Sequence, residues 1–375
     1  MRGIYIHIPF CKKKCYYCDF ISYASRECMV LDYISALKKE IMYTLKKTDK
    51  IDTIYIGGGT PSVIECKYIK EILEEIYKII GYDKNREVTI EINPGTVTQE
   101  KIKEYKKINI NRISIGLQST NNKLLKDIGR IHTYEQFKET YELVKNENFE
   151  NINVDLMLAL PNQTLEDLEE SLKDVIKLNP THISVYSLIL EEKTKMYEMV
   201  NKKEVELPSE DLERQMYWKT KEMLEKAGFV HYEISNFAKK GYESKHNSNC
   251  WNQQEYYGFG LAAHSYINNM RYSNTENLEE YIQFIKEEKY NKVKSIHEIQ
   301  TKKSKMKEYM MLKLRTIEGI EIKEYKKKFQ ENPLYIYKNE IEKLTKNELV
   351  EVDGDYIKLT NKGLDFANEV WQEFI

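Results

Sequence analysis

Six β-rich runs alternate with amphipathic helical patterns across the first half of this 375-residue chain. The β-rich runs cover residues 3–10, 53–57, 87–93, 112–118, 151–160 and 182–190. The helical patterns between them include residues 33–45, 67–80, 133–145 and 165–178. Regular alternation of this kind predicts a parallel sheet with right-handed crossovers. Six units fit an α/β fold of the incomplete (β/α)6 TIM-like barrel type, and periodicity leaves an open doubly wound sheet as the alternative.

Prolines mark one edge of this predicted sheet. Each of four prolines stands at or just past the end of a β-rich run: Pro9, Pro61, Pro94 and Pro161. Proline cannot donate a hydrogen bond to a neighbouring strand, so it marks the point at which pairing stops. Because each of them lies at or past the end of its strand, we expect them at the carboxyl edge of the sheet. Barrels and open α/β sheets place their active sites at that edge.

Composition limits the class of protein. Hydrophobic residues make up 41% of the chain and charged residues 31%, with a net charge of -2, so nothing demands a nucleic-acid or anionic-membrane partner. No apolar stretch approaches the ~20 residues that cross a bilayer. The N-terminus lacks the pattern of an export signal, so we expect a cytoplasmic location. In that reducing compartment the six cysteines are expected to be metal ligands or free thiols rather than disulfides.

After about residue 200 the strand–helix alternation gives way to a different pattern. A helix is predicted over residues 209–226, and an irregular stretch rich in aromatic residues and asparagine follows at residues 229–272. A polar, lysine-rich link lies near residues 291–303. We therefore predict three domains, which are the partial barrel (1–200), an extension (201–300) and a C-terminal unit (301–375).

The C-terminal unit combines helical patterns with a hairpin. The run 349–359 centres on Asp353-Gly354, which is typical of a hairpin turn, and a final helix is predicted over residues 360–374. This combination indicates a winged-helix-like α+β fold, a class that often binds DNA. Residues 301–375 hold fifteen Lys or Arg and fourteen Asp or Glu, without the basic excess of a DNA-binding face. We therefore expect a lid or docking surface and no nucleic-acid partner.

Three cysteines follow the first β-rich run in one loop, with the spacing Cys11-x3-Cys15-x2-Cys18. Thiolates are soft ligands suited to zinc or iron–sulfur clusters, and a structural zinc site or an ordinary cubane needs four ligands. Three thiolates leave one iron of a cubane without a protein ligand, and an open iron invites an exchangeable ligand. The alternative is a zinc loop completed by His7 or by a distant residue.

This spacing, with Tyr17 before the third cysteine, resembles the radical S-adenosylmethionine (SAM) superfamily. Further motif positions match in order along the chain: Gly57-Gly58-Gly59-Thr60-Pro61, Glu91, Gln118, Arg130 and Asp155. The resemblance implies a [4Fe–4S] cluster held by the three cysteines and SAM bound at its open iron. It also implies that the glycine run binds the amino group of SAM, and that Tyr5 and Tyr17 are aromatic neighbours of these cofactors.

Charged residues at the predicted strand ends fit a zwitterionic cofactor. Buried carboxylates at Glu91 and Asp155 would be costly without partners, and the amine and ribose hydroxyls of SAM would supply them. Arg130 would in turn pair with the SAM carboxylate. The residues alone also allow a structural role, in which each of these side chains caps a helix or forms an ion pair and Tyr5 is an ordinary strand residue.

Longer segments resemble the oxygen-independent coproporphyrinogen oxidase family. They are residues 6–11, 18–20, 57–61 and 244–251. Within that family the chain is more similar to the heme-chaperone branch, because Phe20 stands where the oxidases carry a further cysteine. The chaperones also carry a His-Asn-x-x-Tyr-Trp motif whose histidine is implicated in heme binding.

The corresponding segment here reads His246-Asn247-Ser248-Asn249-Cys250-Trp251. Cys250 replaces the tyrosine of the motif, and this change either removes a stacking group or offers a thiolate to heme iron. Imidazole is a good iron ligand, so the resemblance makes His246 the expected heme ligand. The alternative is that His246 caps a turn and the aromatic residues around it pack beneath the barrel mouth.

Three functions from different classes follow from these features. The first is a heme chaperone that binds a cluster, SAM and heme and transfers heme to an acceptor protein. The second is a radical SAM oxidase acting on coproporphyrinogen III or a related precursor, and the third is a DNA-binding regulator with the cluster as sensor. Phe20 and His246 favour the first, and the neutral C-terminal unit disfavours the third. An electron donor such as flavodoxin or ferredoxin is expected, no catalytic residue is assigned, and whether the chain is an enzyme stays open.

Overall fold

A computed structural model describes residues 2–375. The six predicted strands are all present and lie side by side in one sheet, as the predicted barrel requires. They are β1 (Arg2–Ile8), β2 (Ile51–Gly58), β3 (Glu87–Ile92), β4 (Arg112–Gln118), β5 (Asn151–Leu158) and β6 (His182–Ser187). Each strand pairs in parallel with the next, with Tyr5 opposite Tyr55 and Glu91 opposite Ser114.

Helices return the chain between these strands. They are α1 (Val30–Thr44), α2 (Cys66–Ile80), α3 (Gln99–Lys107), α4 (Asn122–Asp127), α5 (Tyr134–Asn146) and α6 (Leu165–Leu178). Capping residues in the local sequence determine where these helices begin and end. At the start of α5 the Thr133 hydroxyl accepts from the backbone N–H of Gln136, and the Gln136 side chain accepts from the backbone N–H of Thr133. Asn179 ends α6 in the left-handed conformation, at φ 53°.

Alternate side chains of the barrel strands enter two different environments. In β1, Ile4, Ile6 and Ile8 are buried in the main hydrophobic core. Tyr5 and His7 occupy the other face, where the Tyr5 hydroxyl lies 3.0 Å from Nδ1 of His7. A strand has a period of two residues, so the apolar positions build the core while the positions between them carry polar groups on the inner face.

The stretch predicted to be irregular contributes strands to the same sheet. The added strands are β7 (Val230–Glu233), β8 (Asn236–Ala238), β9 (Tyr256–Phe259), β10 (His264–Ile267), β11 (Met270–Asn274) and β12 (Lys294–Ile299). The sheet order is β12-β11-β10-β9-β1-β2-β3-β4-β5-β6-β8-β7. The prediction of irregular structure was wrong because these strands are short and closely spaced, as where Asn268 and Asn269 turn β10 into β11, so no periodic run develops.

Five further helices accompany these strands. They are α7 (Lys195–Asn201), α8 (Glu210–Lys226), α9 (Lys245–Trp251), α10 (Leu278–Lys286) and α11 (Tyr290–Val293). The segment near 291–303, predicted to be a link, therefore contains part of α11 and the edge strand β12. Among residues 2–375 no helix combines the length and apolar character needed to cross a membrane.

The C-terminal unit has a hydrophobic core of its own, which includes Met310, Tyr325 and Ile357. Its elements are α12 (Lys302–Lys313), β13 (Ile320–Glu321), α13 (Ile322–Phe329), α14 (Pro333–Ile336), α15 (Lys338–Lys346), β14 (Val350–Asp353), β15 (Tyr356–Leu359), α16 (Asn361–Asp365) and α17 (Ala367–Gln372). The predicted hairpin is β14–β15. The predicted final helix is divided at Phe366, whose φ of -116° and ψ of 30° lie outside the helical region.

Candidate cluster and cofactor site

The cysteine loop lies at the carboxyl edge of the barrel strands. Cys11 ends the short strand Phe10–Cys11, which pairs with Tyr23–Ala24. Further along the loop, the backbone N–H of Tyr16 donates to the Ile128 carbonyl at 3.0 Å, and the Tyr16 carbonyl accepts from Met196 at 2.7 Å. These contacts hold the loop over the sheet from both sides. The three thiols thereby line a cavity of about 480 Å³ at the strand ends.

The three thiols are free, and Cys28, Cys66 and Cys250 lie outside the lining of this cavity. In the part of the chain that the structure describes, no three His, Cys, Asp or Glu side chains converge closely enough for one metal ion. The loop as it stands therefore surrounds a cavity rather than a single ion position. Three thiols without a fourth protein ligand are the donor set that fits a cubane with one open iron.

The glycine run passes between the cysteine loop and the carboxylate of Glu91. A Cβ atom at Gly57 would lie 2.9 Å from that carboxylate, and one at Gly59 would lie 2.9 Å from the carbonyls of Ile8 and Phe10. Neither position has room for a side chain. The backbone N–H groups of Gly59 and Thr60 donate to those two carbonyls at 2.9 and 2.8 Å, so they are not available to a ligand. An ammonium group would instead use acceptors, which carbonyl and carboxylate oxygens provide.

Glu91 presents a carboxylate to the cavity from the end of β3. Its Oε1 accepts from the Tyr55 hydroxyl at 2.8 Å, and its Oε2 accepts from the backbone N–H of Gly58 at 3.2 Å. Loss of solvent around the group, with the negative charge of Asp155 nearby, raises the pKa of Glu91 to about 7. A cationic ligand would reverse this shift, because it would stabilise the ionised form.

Arg130 connects the cofactor cavity with the cysteine loop. Its Nη1 donates to Sγ of Cys15 at 3.5 Å, and its Nη2 donates to Oδ1 of Asn93 at 2.9 Å and to the Gly116 carbonyl. The buried Nε has no hydrogen-bond partner among residues 2–375. A buried guanidinium nitrogen left unpaired is costly, so this edge of Arg130 suits an anionic ligand group such as a carboxylate.

Gln118 and Asp155 complete the polar wall. Gln118 ends β4 with φ 74°, a left-handed conformation that is rare for a residue with a side chain and typical of functional sites. Asp155 accepts from Ser114 at 3.1 Å and from Asn153 at 2.7 Å. Burial raises its pKa. Both residues line the cavity, where they can bind hydroxyl groups.

Sequence reasoning missed part of the cavity wall. The missed polar residues are Tyr55, Asn93 and Ser114, and the missed apolar ones are Met157, Tyr186, Leu188 and Ile189. Tyr55 stands two positions before Gly57, and Asn93 two positions after Glu91, so the period of a strand could have identified both. At the mouth of the cavity Phe20 is 58% exposed and Ile189 is 69% exposed. The apolar residues at the mouth lie in loops, so no strand periodicity in the sequence could have identified them.

Tyr5 and Tyr17 differ in position. Tyr17 lines the cavity beside the cysteines. Tyr5 lies deeper on the inner face, where its ring stacks on Tyr55 at a centroid distance of 6.3 Å. Its role as a neighbour of the cluster stays a prediction.

The structure does not bring His246 to this cavity. His246 lies at the opposite, amino edge of the sheet, where its Nδ1 is 2.9 Å from the Thr53 hydroxyl and its backbone N–H donates to Glu87 at 3.0 Å. Its ring centroid is 5.2 Å from that of Tyr55, and only 7% of its surface is exposed. Burial lowers the pKa of His246 to about 4, so the imidazole is neutral at physiological pH.

Two family models and several curated proteins are similar to this chain. The model of the radical SAM superfamily matches residues 5–175, and the model of the HemN C-terminal domain matches residues 300–366. The chain is 38% identical to the heme chaperone HemW of Lactococcus lactis, covering 100% of this chain and 97% of that protein. It is 36% identical to HemW of Bacillus subtilis, covering 100% and 99%.

A solved structure gives the same fold. Coproporphyrinogen III oxidase (HemN) from Escherichia coli is similar with a TM-score of 0.85, over 100% of this chain and 90% of that one, at 21% identity. At this identity the likeness concerns the fold alone. Because relatives above 30% identity extend over the whole chain, the chain belongs to the HemW family of the radical SAM superfamily.

Proposed function

We propose that this protein is a heme chaperone, which binds a [4Fe–4S] cluster, SAM and heme and delivers heme to an acceptor protein. The observation that carries the proposal is its similarity, over the whole chain, to curated relatives that bear this name. One residue of the site also favours a chaperone over an oxidase. Phe20, two positions after Cys18, is an exposed apolar side chain where the oxidases carry a fourth cysteine.

The cofactor cavity supports a specific division of roles. Cys11, Cys15 and Cys18 would hold the cluster, which would supply one-electron reducing chemistry for SAM. Arg130 would pair with the SAM carboxylate through Nε, which has no hydrogen-bond partner among residues 2–375, and Glu91 would accept from the SAM ammonium. The remaining polar residues of the wall bind ribose hydroxyls and fix the orientation of the nucleoside.

A second candidate function is a radical SAM oxidase that acts on coproporphyrinogen III or a related precursor. The apolar wall favours it, because Met157, Tyr186, Leu188 and Ile189 would border a substrate placed next to SAM. No residue of this wall is a conspicuous acid or base.

Partners follow from the chemistry of the cofactors. Delivery of heme requires an acceptor protein, and reduction of the cluster requires an electron donor such as flavodoxin or ferredoxin. Cys28 is exposed and free, and Cys66 and Cys250 are free and half-buried, which suits a reducing compartment such as the cytoplasm.

An anaerobic hemin titration of the protein with its reconstituted cluster, followed by the Soret band, tests the proposal. Saturable binding near one heme per chain is expected in the unsubstituted protein. Weaker or spectrally shifted binding in His246→Ala would show that this histidine, which is buried in the structure, takes part in heme binding. His231→Ala is the matched control, because His231 is also a buried histidine with a pKa lowered to about 4 by burial. Absence of saturable binding in the unsubstituted protein would move the assignment to the oxidase.

A further inference from the structure

A second cavity, of about 1030 Å³, opens between the amino edge of the barrel and the C-terminal unit. We call it the amino-edge groove and define it by Arg2, Lys50, Gln253, Lys305, Lys328 and Phe329. It lies on the side of the sheet opposite the cysteines, since Arg2 begins β1 and Lys50 precedes β2. Gln253 lies two residues after the end of α9, the helix that carries His246. The groove is therefore the open space next to the His246–Trp251 motif.

Cations outnumber anions in the lining of the groove. Five lining residues are Lys or Arg and one, Glu255, is acidic. Arg2 is neutralised by ion pairs with Asp49 and Glu255, and Lys302 by an ion pair with Glu331 at 3.0 Å. The other three are Lys50, Lys305 and Lys328.

These three lysines have no carboxylate partner among residues 2–375. The ammonium of Lys305 donates to the Asn269 side chain, and that of Lys328 donates to the Asn252 carbonyl at 3.2 Å. Desolvation, together with the nearby charges of Lys305 and Lys313, lowers the pKa of Lys328 to about 8, and the negative charges of Glu308 and Glu324 offset only part of this shift. Three ammonium groups that lack an ion pair with any carboxylate of residues 2–375, and that come from three separate segments, make the groove a site for an anion with more than one charge.

We propose that the amino-edge groove binds heme by its two propionate groups, with Lys50, Lys305 and Lys328 as their partners; this inference rests on the proposed function. Heme is an amphiphilic dianion, and the groove offers two aromatic edges, those of Tyr266 and Phe329, beside its cations. Tyr266 is 4% exposed and Phe329 is 6% exposed, so they contact only part of a macrocycle. Heme anchored in this way keeps most of its ring accessible, which suits transfer to an acceptor.

SAM and heme are assigned to different cavities. The cavity at the cysteines is about 480 Å³ and has to contain SAM beside the cluster. The amino-edge groove is about twice as large and is not bordered by a cluster ligand. His246 faces the barrel interior rather than the groove, so the lysines, and not the imidazole, provide the first contact with heme.

Affinity for hemin and for hemin dimethyl ester, measured on the full chain with its cluster, tests this assignment. The variant is Lys50→Gln with Lys305→Gln and Lys328→Gln. Its matched control removes three exposed lysines elsewhere, Lys145→Gln with Lys240→Gln and Lys346→Gln. We expect the groove variant to bind hemin about tenfold more weakly at low salt, with a smaller dependence on salt, because up to three ion pairs are lost.

The control should bind hemin like the unsubstituted protein, and the dimethyl ester should bind weakly to all three proteins. Equal hemin affinity in the groove variant and the control would contradict heme binding in the groove, but it would leave the chaperone function intact. Loss of binding in Phe20→Ser with Ile189→Ser, but not in the groove variant, would place heme at the cysteine cavity. If the unsubstituted protein shows no saturable hemin binding, both the proposed chaperone function and heme binding in the groove are contradicted. If the triple variant is less stable, the pair Lys50→Gln with Lys305→Gln gives the same comparison.

Discussion

A hydrogen bond of 2.9 Å joins Nη2 of Arg130 to Oδ1 of Asn93. The Asn93 amide nitrogen in turn donates to the Thr60 hydroxyl at 2.9 Å, and that hydroxyl donates to Sγ of Cys11 at 3.5 Å. Arg130 also contacts Cys15. One polar chain therefore connects two of the cysteines with the residues proposed to bind SAM, so the position of the cysteine loop and the shape of the cofactor cavity depend on each other.

Replacement of Arg130 by lysine should separate cofactor binding from cluster binding. Lysine keeps the positive charge but loses the planar set of donors, so we expect SAM to bind roughly 10- to 100-fold more weakly. The cluster should stay, because all three cysteines are intact. Equilibrium dialysis with SAM and the iron and sulfide content measure the two effects, and an unchanged SAM affinity would contradict the proposed contact.

Binding of SAM should depend on pH through Glu91. The pKa of Glu91 is raised to about 7 in the ligand-free protein, and the SAM ammonium requires the ionised form. Affinity should therefore rise about tenfold between pH 6 and pH 8, and protons should be released on binding. Calorimetric titrations in two buffers of different ionisation enthalpy measure both. Glu91→Gln should bind weakly at either pH, and a pH dependence that persists in this variant would exclude Glu91 as its origin.

Glu91 should also make the ligand-free protein less stable as pH rises. Its folded pKa of about 7 lies above the ordinary value of 4.5, so its stabilising contribution is complete below pH 4.5 and is lost as pH rises through 7. The unfolding free energy of Glu91→Gln minus that of the unsubstituted protein should therefore increase by on the order of 2 kcal/mol from pH 5 to pH 8. Urea unfolding at both pH values checks this. If the difference in unfolding free energy between the two proteins is the same at both pH values, Glu91 is not desolvated.

A single methyl group at Gly59 should disturb the cluster site. The added Cβ would lie 3.0 Å from Sγ of Cys11, besides its two backbone clashes. We expect Gly59→Ala to lose stability by roughly 1 to 3 kcal/mol and to retain less iron after reconstitution. Gly241→Ala is the control, because apart from its chain neighbours no atom of residues 2–375 lies within 4 Å of its added Cβ, although its φ of 88° imposes some strain. Equal iron content in the two variants would contradict the close approach.

Replacement of Cys15 by alanine should abolish the reconstituted cluster. The remaining two thiols cannot hold a cubane that needs at least three protein ligands, so iron and sulfide should fall to background. The C-terminal unit should stay folded, since its hydrophobic core is separate. Cys66→Ala, a free half-buried cysteine on another element, is the matched control and should keep its cluster. Full iron retention in Cys15→Ala would refute the ligand assignment.

Arg315 should control the attachment of the C-terminal unit. Its guanidinium lies 4.6 Å from the ring centroid of Trp251, in the His246–Trp251 motif, and 4.8 Å from that of Trp371, in the last helix. We expect Arg315→Ala to cost roughly 1 to 3 kcal/mol and to speed hydrogen exchange in residues 302–375. The control is Arg26→Ala, which breaks an exposed ion pair with Glu279 and should have little effect. Unchanged exchange in Arg315→Ala would show that the two rings pack without it.

Much of the inner face could be predicted because a strand repeats every two residues. Glu91, Gln118 and Asp155 stand among regularly spaced Ile, Leu and Val, so their exclusion from the core is visible in the sequence. The strands after Val230 could not be predicted in this way. They are short, and pairing with their neighbours in the sheet stabilises them rather than any periodicity of their own.

The sequence by itself determined the strand–helix order of the barrel and the three cysteines of one loop, because these depend on local periodicity and spacing. The resemblance to the radical SAM superfamily, rather than periodicity, indicated the motif positions of the cofactor cavity. Only the tertiary structure decided that His246 lies buried against Thr53, at the edge opposite the cysteines. It also decided that Lys50, Lys305 and Lys328 share one groove. Residues so far apart in the chain converge only through strand order and through the packing of the C-terminal unit on the barrel, and neither is encoded in a local pattern.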